Sequence, residues 1–73
     1  MAKFKDIYNK TKTAYVSVSR TKLSDGYNYY LTVFTKALFG KGFVINENKK
    51  QTKTILSAKD AFIEARKLLT NIK

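Results

Sequence analysis

The sequence predicts an α+β fold, in which a three- or four-stranded antiparallel sheet, arranged as a meander, carries one C-terminal helix packed on one face. Residues 14–23 alternate apolar and polar side chains with the period of two that is typical of a half-buried strand. Ser24-Asp25-Gly26 follows and has the residue types of a tight hairpin turn. Residues 57–72 then carry apolar side chains at helical spacing.

The strand predicted after the turn, residues 27–36, carries large side chains on both of its faces. Tyr29, Leu31 and Val33 point to one side, because strand side chains alternate. Tyr30 and Phe34 point to the other. Beyond this strand, Gly-Lys-Gly at 40–42 predicts a reversal and residues 43–46 a third strand. Residues 46–50 are polar enough for another turn, and residues 51–56 are either a short fourth strand or an extended approach to the helix.

The predicted helix begins at Ser57, because Ser57 and Asp60 have the spacing of a capping box, with Asp in place of the commoner Glu. Its apolar side chains form one stripe, which should dock on the sheet. The members of the stripe are Ala58, Ala61, Phe62, Ala65, Leu68, Leu69 and Ile72. The sheet side beneath the helix is expected to carry Val16, Val18, Tyr29, Leu31, Val33, Ile55 and Val44 or a neighbour of Val44.

A chain of 73 residues is expected to form one domain with one core. Residues 14–73 should make up the sheet and helix. Residues 1–13 contain four Lys and should form a basic N-terminal arm or an irregular lead-in strand. Phe4, Ile7 and Tyr8 could attach this segment to the body of the domain.

The composition argues against catalysis and metal binding. Cys and His are absent, and the five acidic residues are scattered. Asp60 and Glu64 are four residues apart on the predicted helix, where solvated helix charges are the expected role. We therefore expect a protein that is not an enzyme and has no cofactor. There is also no apolar run of 18 residues and no signal-peptide pattern, so the sequence predicts a cytoplasmic protein without a membrane span.

Charge is the strongest indication of function. Fifteen basic and five acidic residues give a net charge of +10, which favours a polyanionic partner and above all nucleic acid. Thirteen of the basic residues are Lys, which contacts phosphates as a point charge, whereas Arg reads guanine edges. Binding to the backbone, largely independent of base sequence, is therefore predicted.

The sheet face opposite the helix is the predicted binding surface. Exposed rings stack on unpaired bases while Lys side chains follow the phosphates, so single-stranded DNA or RNA is favoured over duplex DNA, with DNA first. The predicted binding residues are Tyr15, Arg20, Lys22, Tyr30, Phe34, Lys36, Lys41 and Lys53. Two alternatives remain for the rings: they pair across strands and stabilise the sheet, or Tyr30 and Phe34 form a homodimer contact.

The order of the segments resembles that of the small β4-α single-stranded-DNA-binding domains of the positive-cofactor (coactivator) type. The resemblance covers residues 14–72 and depends on "YVSVSR" as a strand, the hairpin, and "KTILSAKDAFIEARKLL" running through a Ser cap into a helix. The resemblance implies that dimers form through the helices. It also implies that the sheets present basic and aromatic side chains to the DNA strand.

The arm-binding domain of tyrosine recombinases is similar as well. Its three-stranded sheet, which lies in the major groove of duplex DNA, is followed by a helix, and "TILSAKDAFIEA" fits that helix start. The Gly-x-Trp opening strand of that domain is missing here, and no recombinase catalytic domain follows. A third alternative is a small interaction module or inhibitor whose basic surface binds an acidic protein.

Overall fold

A computed structural model gives the structure of residues 2–70, which form a four-stranded antiparallel sheet with one helix packed on it. The strands are β1 (Ala2–Tyr8), β2 (Ala14–Leu23), β3 (Gly26–Lys36) and β4 (Phe43–Lys50), and the helix is α1 (Ala58–Leu69). The strand order in the sheet is β1-β2-β3-β4, a simple meander. The predicted fold class is thereby confirmed. Ile72, predicted as the end of the apolar stripe, lies outside the described residues.

The hairpin of β2 and β3 is the longest paired unit. Its strands are joined by a two-residue turn, Ser24 and Asp25, with Leu23 paired to Gly26. From there the pairing continues without a bulge to Ala14 and Thr35. This register places β-branched and apolar side chains of both strands on the same side of the sheet, as the alternation in the sequence predicted.

Residues 2–8 are a strand of the sheet and not a separate basic arm. β1 pairs antiparallel with β2 along its length, with a register shift between Lys3 and Lys5. The shift is consistent with the irregular alternation of apolar and charged residues in this segment, because a bulge adds one residue and so changes which face the following side chains point to. It allows Phe4 to reach the helix side of the sheet, where its ring stacks on Phe62 at 5.9 Å.

The second half of the sequence differs from the prediction in residues 46–50 and agrees with one of the two expected forms in residues 51–56. Residues 46–50, expected as a turn, continue β4 to Lys50, which pairs with Thr32 after a register shift. Residues 51–56, one of whose expected forms was a strand, are extended with only an isolated bridge between Tyr29 and Ile55. Polar side chains in 46–50 misled the prediction because an edge strand tolerates them on both faces.

The side chain of Gln51 forms hydrogen bonds with the backbone of β3 where β4 no longer pairs with it. Its Oε1 atom accepts a hydrogen bond from the Leu31 amide at 2.7 Å, and its Nε2 atom donates to the carbonyls of Tyr29 and Lys53. The Tyr29 amide in turn donates to the Ile55 carbonyl at 2.8 Å. These bonds satisfy backbone groups of β3 beyond the point at which β4 diverges.

Hydrogen bonds of the capping residues define both ends of helix α1. The Ser57 hydroxyl accepts a hydrogen bond from the Asp60 amide at 3.2 Å, so the predicted N-cap is present. At the other end the Thr70 amide donates to the Lys67 carbonyl. Glu64, expected to be a solvated helix charge, is instead largely buried, whereas Asp60 is exposed.

The core lies between α1 and one face of β2 and β3. It consists of Ala14, Val16, Val18, Tyr29, Leu31, Val33, Ile55, Ala61, Ala65 and Leu69. α1 contacts β1, β2 and β3. Val44 on β4 is half exposed for that reason, although it or a neighbour was expected beneath the helix.

The helix is too short to cover the whole of this sheet face. Twelve residues of α-helix span about 18 Å, whereas the eleven residues of β3 extend over about 36 Å. The tip of the β2–β3 hairpin therefore projects beyond α1, and Lys22 and Leu23 near that tip are exposed.

Replacement of Ile55 by Ala should lower the free energy of unfolding by roughly 2–5 kcal/mol, because Ile55 is 1% exposed in the centre of this small core. Leu56→Ala is the matched control. Leu56 is the next residue and is 62% exposed, so its loss should change stability by less than about 0.5 kcal/mol. Urea titration followed by circular dichroism measures both. Equal effects of the two variants would contradict the placement of the core.

Candidate nucleic-acid interface

The sheet face opposite α1 carries a row of four aromatic rings, one from each strand. The row consists of Tyr8, Tyr15, Phe34 and Phe43, and we call it the ring row. Tyr15 is paired directly with Tyr8 on one side and with Phe34 on the other. The ring centroids of Tyr15 lie 5.0 Å from Tyr8, 4.9 Å from Phe34 and 5.0 Å from Phe43.

The ring row exists because three strands place aromatic residues at one level of one face, and Phe43 of β4 lies one position nearer the end of the sheet on the same face. Antiparallel pairing fixes Tyr8, Tyr15 and Phe34 opposite one another, since each occupies a position with the same orientation in its strand. Phe43 is paired with Lys36, the next residue of β3 on this face. The rings of Tyr15 and Phe34 are nearly parallel, at 13°, and the ring of Phe43 meets Tyr15 edge-on at 75°.

The rings partly cover each other but are not part of the core. Tyr15, Phe34 and Phe43 are half-buried, and Tyr8 at the sheet edge is exposed. The surface they form is therefore a nearly continuous aromatic strip that is partly open to solvent. Cross-strand pairing stabilises the sheet at the same time, so this alternative for the rings holds together with an exposed surface.

Hydroxyl groups and one further ring continue the open face toward the hairpin tip. Ser17, Ser19 and Thr32 are half-buried there, and Tyr30, paired with Ser19, is 38% exposed. The hydroxyl of Tyr30 accepts a hydrogen bond from the Asn28 side chain at 2.9 Å. Tyr30 and Phe34 are four residues apart on one face, hence about 13 Å, so they are separate positions and not one stack.

Four exposed Lys lie at the end of the sheet that carries the ring row. Lys10 and Lys12 belong to the turn between β1 and β2, and Lys36 and Lys41 lie at the end of β3 and in the loop that follows. The stretches 7–15 and 34–46 contain no Asp or Glu. All four ammonium groups are on exposed residues, and they flank the ring row from two neighbouring connections.

The turn with Lys10 and Lys12 is held in a defined conformation by Asn9. The Asn9 Oδ1 atom accepts hydrogen bonds from the amides of Thr13 and Ala14 at 3.0 and 3.3 Å. The Asn9 Nδ2 group donates to the Thr13 hydroxyl at 3.0 Å. Lys12 takes a left-handed conformation, with φ of 55°. Ordered backbone at this turn limits the entropy lost when the two Lys side chains meet a ligand.

An ion pair lies on the open face beside the Tyr8 end of the ring row. Lys3 Nζ lies 2.8 Å from Asp6 Oδ2, and this hydrogen bond to the carboxylate raises the pKa of Lys3 above its ordinary value. Lys3 is thus fully protonated at neutral pH, and the pair has no net charge. The other Asp6 oxygen, Oδ1, is buried and has no hydrogen-bond partner among the described residues.

The structure brings together some of the predicted binding residues and separates others. Tyr15, Phe34 and Lys36 lie together at the end with the ring row, and Lys41 is in the adjoining loop. Tyr30 is on the same face farther up. Lys53 belongs to the segment after β4, where residues 51–54 and Tyr30 line a shallow depression.

Arg20 and Lys22 are not on the open face. By register both lie on the helix side, where Arg20 is opposite Tyr29 and Lys22 opposite Tyr27. The guanidinium carbon of Arg20 is 4.5 Å from the ring centroid of Phe4 and 4.2 Å from that of Tyr27. Arg20 therefore covers apolar surface next to the end of α1, which is a structural role.

Sequence reasoning missed Tyr8 and Phe43 as members of the site. Tyr8 was assigned to a segment whose pairing was unknown, and its only signal was an aromatic residue seven positions before Tyr15 across a polar turn. Phe43 begins the strand after the Gly-Lys-Gly reversal, and its orientation depends on the register with β3. Neither register can be read from one strand alone.

No three His, Cys, Asp or Glu side chains are grouped within residues 2–70 so as to hold a metal ion. In the same range there is no helix long and apolar enough to cross a membrane. No protein-family model matches the chain, and neither a curated protein nor a solved structure does so. The function is therefore argued from the residues of the site.

Arg20→Ala should lower the free energy of unfolding by about 1–2 kcal/mol, because two ring contacts are lost at a partly desolvated position. Arg20→Lys keeps the charge but not the planar stacking group, and should recover only part of this loss. Thermal unfolding of both variants measures the effect. If Arg20→Ala leaves stability unchanged and instead abolishes oligonucleotide binding, the structural role is wrong.

Proposed function

We propose that this protein binds single-stranded nucleic acid on the open face of its sheet, with little dependence on base sequence, and that it is a binding protein and not an enzyme. The observation that carries the proposal is the ring row, which lies at the end of the sheet that also holds four exposed Lys, while Asp6 on the same face is paired with Lys3. In the proposed complex, bases stack on the rings and phosphates contact the ammonium groups.

The spacing of the ring row suits unpaired bases. The Tyr15 ring has its centroid about 5 Å from those of Tyr8 on β1, Phe34 on β3 and Phe43 on β4, so the four rings form one connected cluster across the sheet. A single strand crossing the sheet would meet apolar ring surface at each strand in turn. Stacking of a base on an aromatic side chain contributes about 1–3 kcal/mol and accepts any base, because every base has a π face.

The charge distribution supports a polyanion at the same place. Lys10, Lys12, Lys36 and Lys41 are exposed and lie on both sides of the ring row, in the turn after β1 and around the end of β3. The stretches that carry these Lys contain no acidic residue, and Asp6, which lies on the same face two residues before Tyr8, is paired with Lys3. Lys is suited to phosphates rather than to base edges, which is why little sequence preference is proposed.

Duplex DNA fits this face less well. The major groove is about 12 Å wide and admits a two-stranded ribbon, whereas the outer strands of a four-stranded sheet are about 14 Å apart before side chains are added. Paired and stacked bases also offer no faces to Tyr15 and Phe34 in the middle of the sheet. Residues 14–70, which carry the resemblance to the β4-α single-stranded-DNA-binding domains, contain three strands and the helix, and the fourth strand of the sheet is β1.

A direct titration tests the proposal. Fluorescence anisotropy is measured with labelled 12-nucleotide DNA and RNA single strands and with a blunt duplex. The protein should bind a single strand more tightly than the duplex. If the four Lys replace four counterions, the log-log dependence of affinity on salt should have a slope of about −3. A panel of different base sequences should bind within a few fold. Absence of binding to any single strand at low salt would refute the proposal.

Replacing Tyr15 and Phe34 together by Leu should weaken single-strand binding by about 2 kcal/mol, or about 30-fold, because stacking is lost while apolar volume is retained. The salt slope should stay unchanged, since no charge is removed. Phe62→Leu, an aromatic change on the helix side, is the matched control and should leave affinity unaltered. Circular dichroism verifies that each variant is folded. Full affinity in the folded double variant would show that the rings do not contact bases.

A further inference from the structure

The loop between β3 and β4 presents two adjacent apolar side chains almost wholly to solvent. Leu38 is 94% and Phe39 92% exposed. The loop is closed at its base by a hydrogen bond from the Ala37 amide to the Gly42 carbonyl at 3.1 Å. Gly40 and Gly42 both have φ of 91°, a conformation that other residues rarely adopt, so the turn depends on them.

This exposure is unlike that of the other apolar side chains on the surface. Single exposed apolar residues need no explanation, and those elsewhere, such as Leu56 and Ile63, retain some cover. Leu38 and Phe39 are neighbours at the tip of a closed loop, and no described residue covers either of them. Lys36 and Lys41, both exposed, stand on either side of them in the chain. The loop thus combines an apolar tip with flanking positive charge.

The loop leads along the chain into the ring row, because Phe43 is the first residue after it. It leaves the sheet after Lys36 and re-enters it at Phe43, and these two residues are the last pair of β3 and β4. Phe39 is four residues before Phe43, so their Cα atoms are at most about 14 Å apart. A nucleic-acid strand that passes over Phe43 and off the sheet would therefore reach the loop within a few nucleotides.

We propose that Leu38 and Phe39 form an apolar wedge that abuts the terminal base pair of a duplex, so that the preferred ligand is a junction between single-stranded and double-stranded nucleic acid. This inference rests on the proposed single-strand site. The end of a duplex presents the stacked surface of two bases, which is broader than one ring and matches a Leu and a Phe side by side. Apolar wedges of these residue types insert against base steps in other nucleic-acid complexes.

The charges on either side of the wedge in the chain also fit a junction between single-stranded and double-stranded nucleic acid. Two strands diverge at the end of a duplex, so phosphates lie on both sides of the terminal pair. Lys36 precedes the wedge and Lys41 follows it, which offers one ammonium group on each side of the tip. A loop that only lengthened the single-strand path would need a ring but not the neighbouring Leu.

The test compares three ligands by fluorescence anisotropy: a 12-nucleotide single strand, a blunt duplex, and the same duplex carrying that strand as a tail. Wild-type protein should bind the tailed duplex at least tenfold more tightly than the single strand. Leu38→Ser with Phe39→Ser should abolish this preference and leave affinity for the single strand within about twofold. Leu56→Ser, which removes an exposed apolar side chain elsewhere, is the matched control.

A second measurement reports on the wedge directly. With 2-aminopurine in the terminal base pair of the tailed duplex, wild-type binding should change the fluorescence of the probe, and the double variant should not change it. Equal affinity of wild-type protein for tailed duplex and single strand would overturn the wedge but leave the proposed function intact. Failure to bind any single strand would remove both. Light scattering tests whether the loop is instead a self-association surface. That role would be indicated if the wild-type protein is a dimer and the Leu38→Ser and Phe39→Ser variant is a monomer that keeps the preference for the junction.

Discussion

The register between β2 and β3 is the constraint on which the other features depend. The two-residue turn at Ser24 and Asp25 and the unbroken pairing to Ala14 and Thr35 decide which side chains face α1. Because side chains alternate with a period of two, a slip by one residue would exchange the core residues Val16 and Val18 for Tyr15 and Ser17. Burial of Val16, Val33 and their neighbours under α1 opposes such a slip. The same register that builds the core therefore also places rings on the opposite face.

The size of the helix decides how the two faces are used. α1 spans about half the length of β2 and β3, so the hairpin tip must be covered by other groups. Arg20 does so by lying between the rings of Phe4 and Tyr27, where its stem and planar head replace a missing apolar residue. One of only two Arg residues is thus used for packing, and the charges left for a ligand are nearly all Lys. This division favours contacts with phosphates over readout of base edges.

The ring row has two roles that need not compete. Contacts among Tyr8, Tyr15, Phe34 and Phe43 stabilise a sheet that has no helix on this side, since cross-strand aromatic pairs contribute about 0.2–1 kcal/mol each. The same contacts hold the rings in place before any ligand arrives, which reduces the entropy lost on binding. A preorganised aromatic strip beside a cluster of exposed Lys is more informative than either composition or charge alone, because both features have ordinary explanations when they occur apart.

Local patterns in the sequence determined the hairpin, its turn, the Ser57 cap and the apolar stripe of the helix, since each of these depends on neighbours within a few residues. They also predicted correctly that Tyr15, Phe34 and Lys36 lie away from the helix. The tertiary structure decided what depends on pairing between distant segments: that residues 2–8 form a strand, that β4 extends to Lys50, that Arg20 and Lys22 lie on the helix side, and that Tyr8 and Phe43 join the ring row. Bulges in β1 and β4 shift the alternation of side chains between the two faces of the sheet. The length of α1 relative to the strands decides how much of the sheet face the helix covers. Neither quantity can be obtained from a single strand or helix considered alone, because each is a relation between two elements that the chain brings together only on folding.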